Sequence, residues 1–452
     1  MTKKDKDCGC GRNKKWLNKQ YKKSTLEELQ TQKIFIQLAS YRDPQLVPTM
    51  RDMLEKADNP QNLFFGICWQ RDENESLEEF ANHPQVRYQD YHYSKSKGLG
   101  WARSQVSKLW DKESFILQLD SHHRFSKHWD TMMLQDYHQS SYYSGKPLLT
   151  TYLTPFEVKE YEEKGYESLN KTPCLMSQYE FSSDKLLMSM PWYIQDFEQR
   201  RKVIKSRTVS GHFIFTSSKF LKEVPYDPDI YFGGYCEETT MSLRAFTHGY
   251  DFYSPYRQYI WHEYTRANRP KHWDDHSRKS ETNKTSPERD ALGRSKTRQL
   301  FGIEDNNIKV LKKHGLGSKR TLHDYEVFGG FDFQNQLISD YTLQVNEPPN
   351  PISWKKQFNL KEEQEITLEW NVDHFISEAN GKYKFITFGI IDKDGNELYR
   401  TDFTPDKHKD ILSYQLYSHT PKILKHKIKG SKLIMYGMKS DNTWTTPYTK
   451  SI

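Results

Sequence analysis

From Lys33 onward, apolar runs alternate with polar clusters in a strand–helix pattern. Ile34–Ser40 (IFIQLAS) reads as a strand, and Tyr41-Arg42-Asp43-Pro44 turns the chain. Leu46, Val47, Met50, Met53 and Leu54 then recur at helical spacing through Leu46–Ala57. Asn62–Trp69 and Val86–Tyr93 read as two more strands, and Gly98–Trp110 as a glycine turn opening a helix. In Phe115–Leu119, Phe115, Ile116, Leu117 and Leu119 form a run without amphipathic alternation, as expected of a strand covered on both faces in an α/β sheet. That strand stops at Asp120, ahead of Ser121, His122, His123 and Arg124. Ligands of such sheets bind where strand carboxyl ends open into a crevice. Asp120 and His122, in the order Asp-x-His, can share one divalent cation there and leave positions for phosphate oxygens.

The pattern continues with a helix from Asp130 to about Gln139 and a strand over Pro147–Leu153. Residues 155–205 are charged, Tyr-rich and cut by Pro173 and Pro191. They read as a long functional loop flanking an acceptor, with Trp192 and Tyr193 as stacking surfaces or as rings that pin the loop down. Val209–Thr216 is a strand carrying Gly211 and His212 near its start. Gly233-Gly234 turn the chain into a helix with Glu237 and Glu238 in its first turn; Met241, Leu243, Ala245 and Phe246 fit its buried side, and Gly249 ends it. Acids at a helix start ordinarily just serve the dipole, but a glycine turn delivering two of them beside a metal-binding strand makes them candidates for chemistry. Ile260–Tyr264 is a short apolar strand containing His262. A lone histidine is by default structural; joined to Asp120 and His122, it completes an N/O donor set suited to Mn²⁺. His272, Asp274, Asp275 and His276 read as a solvated loop more than a second metal cluster, with a role near a diphosphate left open. Ser286-Pro287-Glu288 starts a helix that ends near Phe301-Gly302.

Asn346–Trp354 (NEPPNPISW) is a proline-rich joint. Beyond it the chain reads as all-β: Glu365–Val372, Tyr383–Ile391, Glu397–Phe403 and Lys432–Met438 are strands, and Asp392–Asn396 a turn. Short strands separated by turns predict a small β-sandwich. The expected division is a basic tail over 1–30, an α/β domain over 31–325 and a β domain over 345–452.

Composition narrows the classes. A net charge of +7 suits a phosphate-bearing ligand without requiring nucleic acid, and no specific nucleic acid is expected. Aromatics make up 14% of the residues, so core and clefts must lean on rings, a composition common among proteins that handle sugars. No run approaches the roughly 20 apolar residues of a membrane span, and the N-terminal basic residues precede no apolar stretch. Five scattered cysteines, Cys8, Cys10, Cys68, Cys174 and Cys236, fit reduced thiols and a cytoplasmic setting. Neither a GxGxxG fingerprint nor a GxxxxGK[ST] loop is present, so a diphosphate would be neutralised by a metal and not by a glycine-rich loop.

Together these segments resemble a GT-A glycosyltransferase, a Rossmann-like nucleotide-diphospho-sugar fold. More closely, they resemble the cytoplasmic protein-hydroxyproline N-acetylglucosaminyltransferases, relatives of the mucin-type polypeptide GalNAc-transferases. LASYRDP, GWARSQVSKLW, LQLDSHHRFSKHWD, SGHFIF, FGGYCEETTMSLRAFTHGYDFYSP and IWHEYTR carry the likeness, in the family's order, over residues 33–302. It implies a UDP-sugar donor, most closely UDP-GlcNAc, a divalent metal (Mn²⁺, or Mg²⁺), transfer to a hydroxyl of a protein or glycan acceptor, and retention of anomeric configuration. By position, Asp120 and His122 stand for the metal and diphosphate site and His262 for the later metal ligand. Ser40, Arg42 and Asp43 match the segment that meets the nucleotide, and Arg103 a basic residue near the uridine or diphosphate. Gly211 and His212 would line the donor sugar, and Glu237 and Glu238 the sugar and acceptor hydroxyl, with the question of which carboxylate faces inward left open. Two other classes stand beside this one: a metal-dependent hydrolase using the same Asp and His residues, and a non-catalytic glycan-binding or surface protein.

Overall fold

The computed structural model describes residues 25–231, 234–265, 269–278, 284–304 and 311–351, and in the C-terminal part 363–365, 367–371, 383–393, 395, 397–404, 416–419, 421–424 and 430–452. Residues 1–24 of the basic tail, with Cys8 and Cys10, and Gly233 lie outside the described residues, whereas Leu26–Gln30 of the tail form a short helix.

Four parallel strands form the frame: β1 (Ile34–Tyr41), β2 (Leu63–Arg71), β3 (Val86–His92) and β4 (Phe115–Leu119), in the spatial order β3-β2-β1-β4. The chain continues through β5 (His123–Phe125), β6 (Pro147–Leu149), β7 (Thr154–Pro155), β8 (Cys174–Phe181), β9 (Leu187–Tyr193), β10 (Ile204–Lys205), β11 (Phe213–Ser217), β12 (Asp251–Ser254) and β13 (Ile260–His262). β11 runs antiparallel to β4 and β6, and β12 and β10 extend the same sheet. α1 (Leu46–Lys56), α2 (Leu99–Val106), α3 (Trp129–Ser141), α4 (Gly234–Thr247) and α5 (Ser286–Leu300) are its main helices.

The unalternating strands are covered on both faces. Ile34, Ile36, Leu38, Leu117 and Leu119 enter one buried cluster, while Phe35 and Ile116 enter another on the opposite face. β3 is the sheet edge, and its partial alternation matches a strand with half-buried and exposed residues in turn. β1 neighbours β2 on one side and β4 on the other, so the sheet order reverses between β1 and β4. The loops leaving those two carboxyl ends diverge and open a crevice there.

Residues 155–205 are not a loop. β8 and β9 pair antiparallel, with Cys174 opposite Tyr193 and Leu175 opposite Trp192, so Trp192 and Tyr193 belong to a hairpin. Pro191 sits within β9 opposite Met176; in a two-stranded ribbon, a strand side without a neighbour tolerates a residue that cannot donate, so the proline did not mark a break. The strand predicted over 209–216 begins only at Phe213, because residues 209–212 bend around the start of α4. The helix predicted from Ser286 is present: Thr285 and Glu288 form a reciprocal capping box, and Gly302 follows with φ 70°.

Packing of the α/β body continues past 325, with Tyr325, Phe331, Phe333, Ile338 and Leu343 in its second cluster. Arg207 donates to the carbonyls of Gly329 and Asn346 and to Asn350 Oδ1, which seats the segment on the body. The C-terminal part holds an antiparallel sheet of Glu397–Phe403, Tyr383–Ile391, Lys432–Lys439 and Tyr448–Ser451, in that spatial order. Ile386, Phe388, Ile390, Leu433 and Met435 are buried in it. Two short antiparallel pairs accompany it: Glu363–Glu365 with Lys422–Leu424, and Leu368–Asn371 with Leu416–His419.

Candidate active site

At the reversal between β1 and β4 lies a cleft, the place where ligands of open α/β sheets bind. Ala39, Tyr41 and Asp43 line it from the end of β1, Gln70 from β2, and Asp120, Ser121 and His122 from the end of β4. Gly98, Leu99 and Ala102 add the start of α2, and residues 269–273 close the remaining side. Gly98 takes φ 102°, and a Cβ there would lie 2.5 Å from the Tyr231 ring, so the turn before α2 requires glycine.

Two antiparallel neighbours bring the candidate metal ligands together. β5 leaves the end of β4, and β13 pairs with it so that His262 lies opposite His123 and Trp261 opposite Arg124. His262 Nε2 comes within 3.2 Å of Asp120 Oδ2, and His122 Nε2 within 3.8 Å of the same oxygen. Among the described residues Asp120, His122 and His262 form the one such cluster, their ligand atoms all within 4.8 Å of one another. One carboxylate oxygen and two imidazole nitrogens fit Mn²⁺ or a similar cation and would leave coordination positions open. His123 Nδ1 instead meets the Asp120 carbonyl at 3.1 Å, and its fully buried ring packs beside His262.

Neighbours fix each ligand. Asp43 Oδ2 lies 2.7 Å from His122 Nδ1. A carboxylate only accepts, so Nδ1 carries the proton and Nε2 presents its lone pair toward Asp120 and His262. Asp43 also accepts from Ser121 Oγ (2.5 Å), the Gln45 amide (2.9 Å) and Arg269 (2.5 Å). Burial favours a neutral Asp43, but its interaction with His122 and the charge of Arg269 outweigh it and hold its pKa below the usual range. Asp120 is treated alike: burial pushes its pKa up, and the His262 hydrogen bond with the Arg103 charge brings it well below normal. Burial lowers the His262 pKa far below the ordinary imidazole value, leaving the neutral form a metal needs.

Arg103 does not line the cleft. It is fully buried behind Asp120, donating to Asp120 Oδ1 at 2.6 Å, to the Gly211 carbonyl at 3.2 Å and to the Leu119 carbonyl. It thereby holds one Asp120 oxygen, and the other, Oδ2, is the oxygen that meets both histidines. Ser40 also lies one layer back: its carbonyl accepts from Gln70 Nε2 at 2.9 Å and so orients a cleft-lining side chain. Arg42, at φ 44°, pairs with Asp72 (3.1 Å) and Asp275 (3.0 Å).

Both glutamates of α4 are buried and meet the 210–212 bend. Glu238 Oε1 accepts the Gly211 N–H at 3.1 Å, and burial, opposed by that bond, pushes its pKa up to about 8. Glu237 accepts from Tyr226 Oη at 2.9 Å and stands 3.7 Å from Arg103; burial raises its pKa, with Arg103 opposing. A Cβ at residue 211 would lie 2.4 Å from Glu237 Oε2, so Gly211 is there because the carboxylate takes that space. The His212 ring stacks on His262 with centroids 4.6 Å apart, and its Nε2 meets Tyr264 Oη at 3.1 Å.

Of the segment read as a solvated loop, Asp274 and Asp275 are exposed as expected, but its two histidines are not. His272 and His276 are buried, stacked with centroids 4.2 Å apart, and both pack toward Tyr41. His272 meets Ser96 Oγ at 2.8 Å and Tyr231 Oη at 2.7 Å, while Asp275 accepts from Tyr41 Oη at 2.7 Å. Local polarity hid this, since HWDDH has no apolar periodicity and its burial comes from residues far along the chain. Gln70, at the end of a predicted parallel strand, could have been found from the crevice rule alone.

The family model described as Glycosyltransferase (GlcNAc) matches residues 33–82 and 74–335. The chain belongs to this glycosyltransferase family. The match spans the α/β body and includes Asp43, Asp120, His122, Glu237, Glu238 and His262. No curated protein sequence matches the chain significantly. Among solved structures, it is similar to GalNAc-T7 with UDP, GalNAc and Mn²⁺ (TM-score 0.42, 15% identity, 65% of this chain and 56% of that one). It is also similar to residues 1–349 of S. aureus TarS in complex with UDP-GlcNAc (TM-score 0.33, 14% identity, 53% and 60%). For S. aureus TarS itself the TM-score is 0.32, with 12% identity over 93% of this chain and 85% of that one. The chain thus covers under two thirds of the first two structures' lengths. No helix among the described residues is long and apolar enough to cross a membrane.

Proposed function

We propose that this member of the family is a metal-dependent retaining glycosyltransferase that moves GlcNAc from UDP-GlcNAc to a hydroxyl of a protein or glycan acceptor. The observation that carries the reading is the convergence of Asp120, His122 and His262, the first two lining a cleft at the sheet's reversal. Family membership supports the reaction class, and the family's description supports the sugar.

Asp120, His122 and His262 would hold the cation, and a divalent ion there supplies Lewis-acid stabilisation of charge on a leaving diphosphate. Asp43 holds His122 and Arg103 holds Asp120, so little reorganisation of these two ligands is needed when the donor arrives. Glu238, with a pKa near 8, holds a proton at neutral pH and in that form is no nucleophile. Glu237 is already engaged by Tyr226 and lies against Gly211. Those two facts favour attack from the face the leaving group departs, with the acceptor proton passing to the donor's own leaving phosphate oxygen. In that scheme Gly211, His212, Glu237 and Glu238 shape and orient the sugar side and take no covalent part.

Incubation with a panel of UDP-sugars, with and without Mn²⁺, tests the proposal through UDP release. The expected result is Mn²⁺-dependent release, fastest with UDP-GlcNAc. Asp120→Ala should lose more than the roughly 10–100-fold that removing an outer partner of a metal ligand costs. Metal-dependent turnover of compounds lacking a nucleotide, lost in Asp120→Ala, with no release of UDP from any UDP-sugar, would instead identify a hydrolase.

A further inference from the structure

We propose that Arg269 is a positioning residue that clamps the supports of both histidine ligands together and ties them to the wall of the cleft. The inference rests on the metal reading above. Asp43 follows β1 and orients His122 through Nδ1. Glu263 follows His262 directly, and its N–H donates to the His122 carbonyl at 3.1 Å. The Arg269 guanidinium spans the two acids, one terminal nitrogen on Asp43 Oδ1 at 2.5 Å and the other on Glu263 Oε2. All three side chains are nearly buried, with 7%, 4% and 7% exposure for Arg269, Asp43 and Glu263.

The consequence follows from geometry. β1 and β13 are distant in sequence, and each delivers one histidine's support to the site. A planar fork with two separated N–H ends can hold two carboxylates at a fixed distance, and a single ammonium cannot. Arg269 also opens the segment 269–273 that closes the cleft. The same side chain therefore joins the donor-facing wall to the metal-ligand supports. With its charge committed to two carboxylates, Arg269 acts here through Asp43 and Glu263 and not as a phosphate contact.

Mn²⁺ titration of the full-length protein without nucleotide, followed by the electron paramagnetic resonance signal of free Mn²⁺, tests this apart from activity. Wild type should bind Mn²⁺ and Asp120→Ala should not. Arg269→Gln should weaken Mn²⁺ binding about tenfold, the lower end of the range for lost outer partners of metal ligands. Arg269→Lys should weaken it similarly, because charge without the fork does not bridge. Glu263→Gln, which removes the other end of the clamp, should shift the affinity in the same direction. Thermal melts of each variant report folding. The clamp is overturned if Arg269→Gln binds Mn²⁺ as wild type does while only the donor KM rises, or if Arg269→Lys restores wild-type affinity. Wild type that binds no Mn²⁺ would overturn the metal reading and this inference together, whereas intact wild-type binding with unchanged Arg269 variants overturns the clamp alone.

Discussion

Glu238 shows how one residue's surroundings become a measurable property of the protein. Its carboxyl is buried against the 210–212 bend, and burial lifts its pKa from the ordinary value of 4.5 to about 8. The folded protein then binds a proton that the unfolded chain releases above pH 4.5. Stability linked to this group is fully present at low pH and falls as pH rises from about 4.5 toward 8. Glu238→Gln keeps a carbonyl oxygen for the Gly211 N–H and removes the titration. Its melting temperature should therefore decline less steeply than wild type between pH 6 and 8; parallel melting curves in that window would show that the carboxyl titrates normally. The sequence placed Glu237 and Glu238 side by side in a first helical turn, but it could not assign their partners. Those come from Tyr226, Arg103 and residue 211, which only the packing of α4 against the sheet brings near.

At the scale of elements, the pairing of β5 with β13 delivers His262 to Asp120. Trp261 anchors that pairing: it is fully buried, its indole N–H donates to the Asn170 carbonyl at 2.7 Å, and it lies opposite Arg124. Trp261→Ala should cost about 3–5 kcal/mol of stability, the usual range for truncating a buried large aromatic. It should also lower Mn²⁺-dependent UDP release, since the neighbouring histidine loses its register. Denaturant unfolding and the UDP assay check the two effects, and full activity in the folded variant would mean that His262 does not depend on this strand. The short apolar strand ending in His262 was legible because Ile260 and Trp261 precede a polar break. Its partner was not, because a three-residue strand carries no register information of its own.

At the scale of the molecule, the described lining of the cleft comes from residues 39–273, and the body's packing runs to Asn350. The C-terminal antiparallel sheet has its own buried residues, Phe388, Ile390, Leu433 and Met435 among them. A chain ending after residue 351 should accordingly fold and keep Mn²⁺-dependent UDP release within about threefold of wild type, as expected of a domain with its own core. Loss of folding on truncation would place part of the body's stability in the C-terminal sheet.

By itself the sequence determined the parallel half of the sheet, the helices between its strands, the β character of the C-terminal part, and Asp120, His122 and His262 as one candidate set. These follow from local pattern: unalternating apolar runs demand cover on both faces, and polar residues at their ends mark the crevice. The tertiary structure alone decided that Asp43 orients His122, that Arg103 lies behind Asp120, that residues 155–205 contain a hairpin, and that His272 and His276 are buried in the cleft wall. Each depends on contacts between residues far apart in sequence, and a charged or aromatic side chain reads the same along the chain whether it faces water, a partner or a ligand.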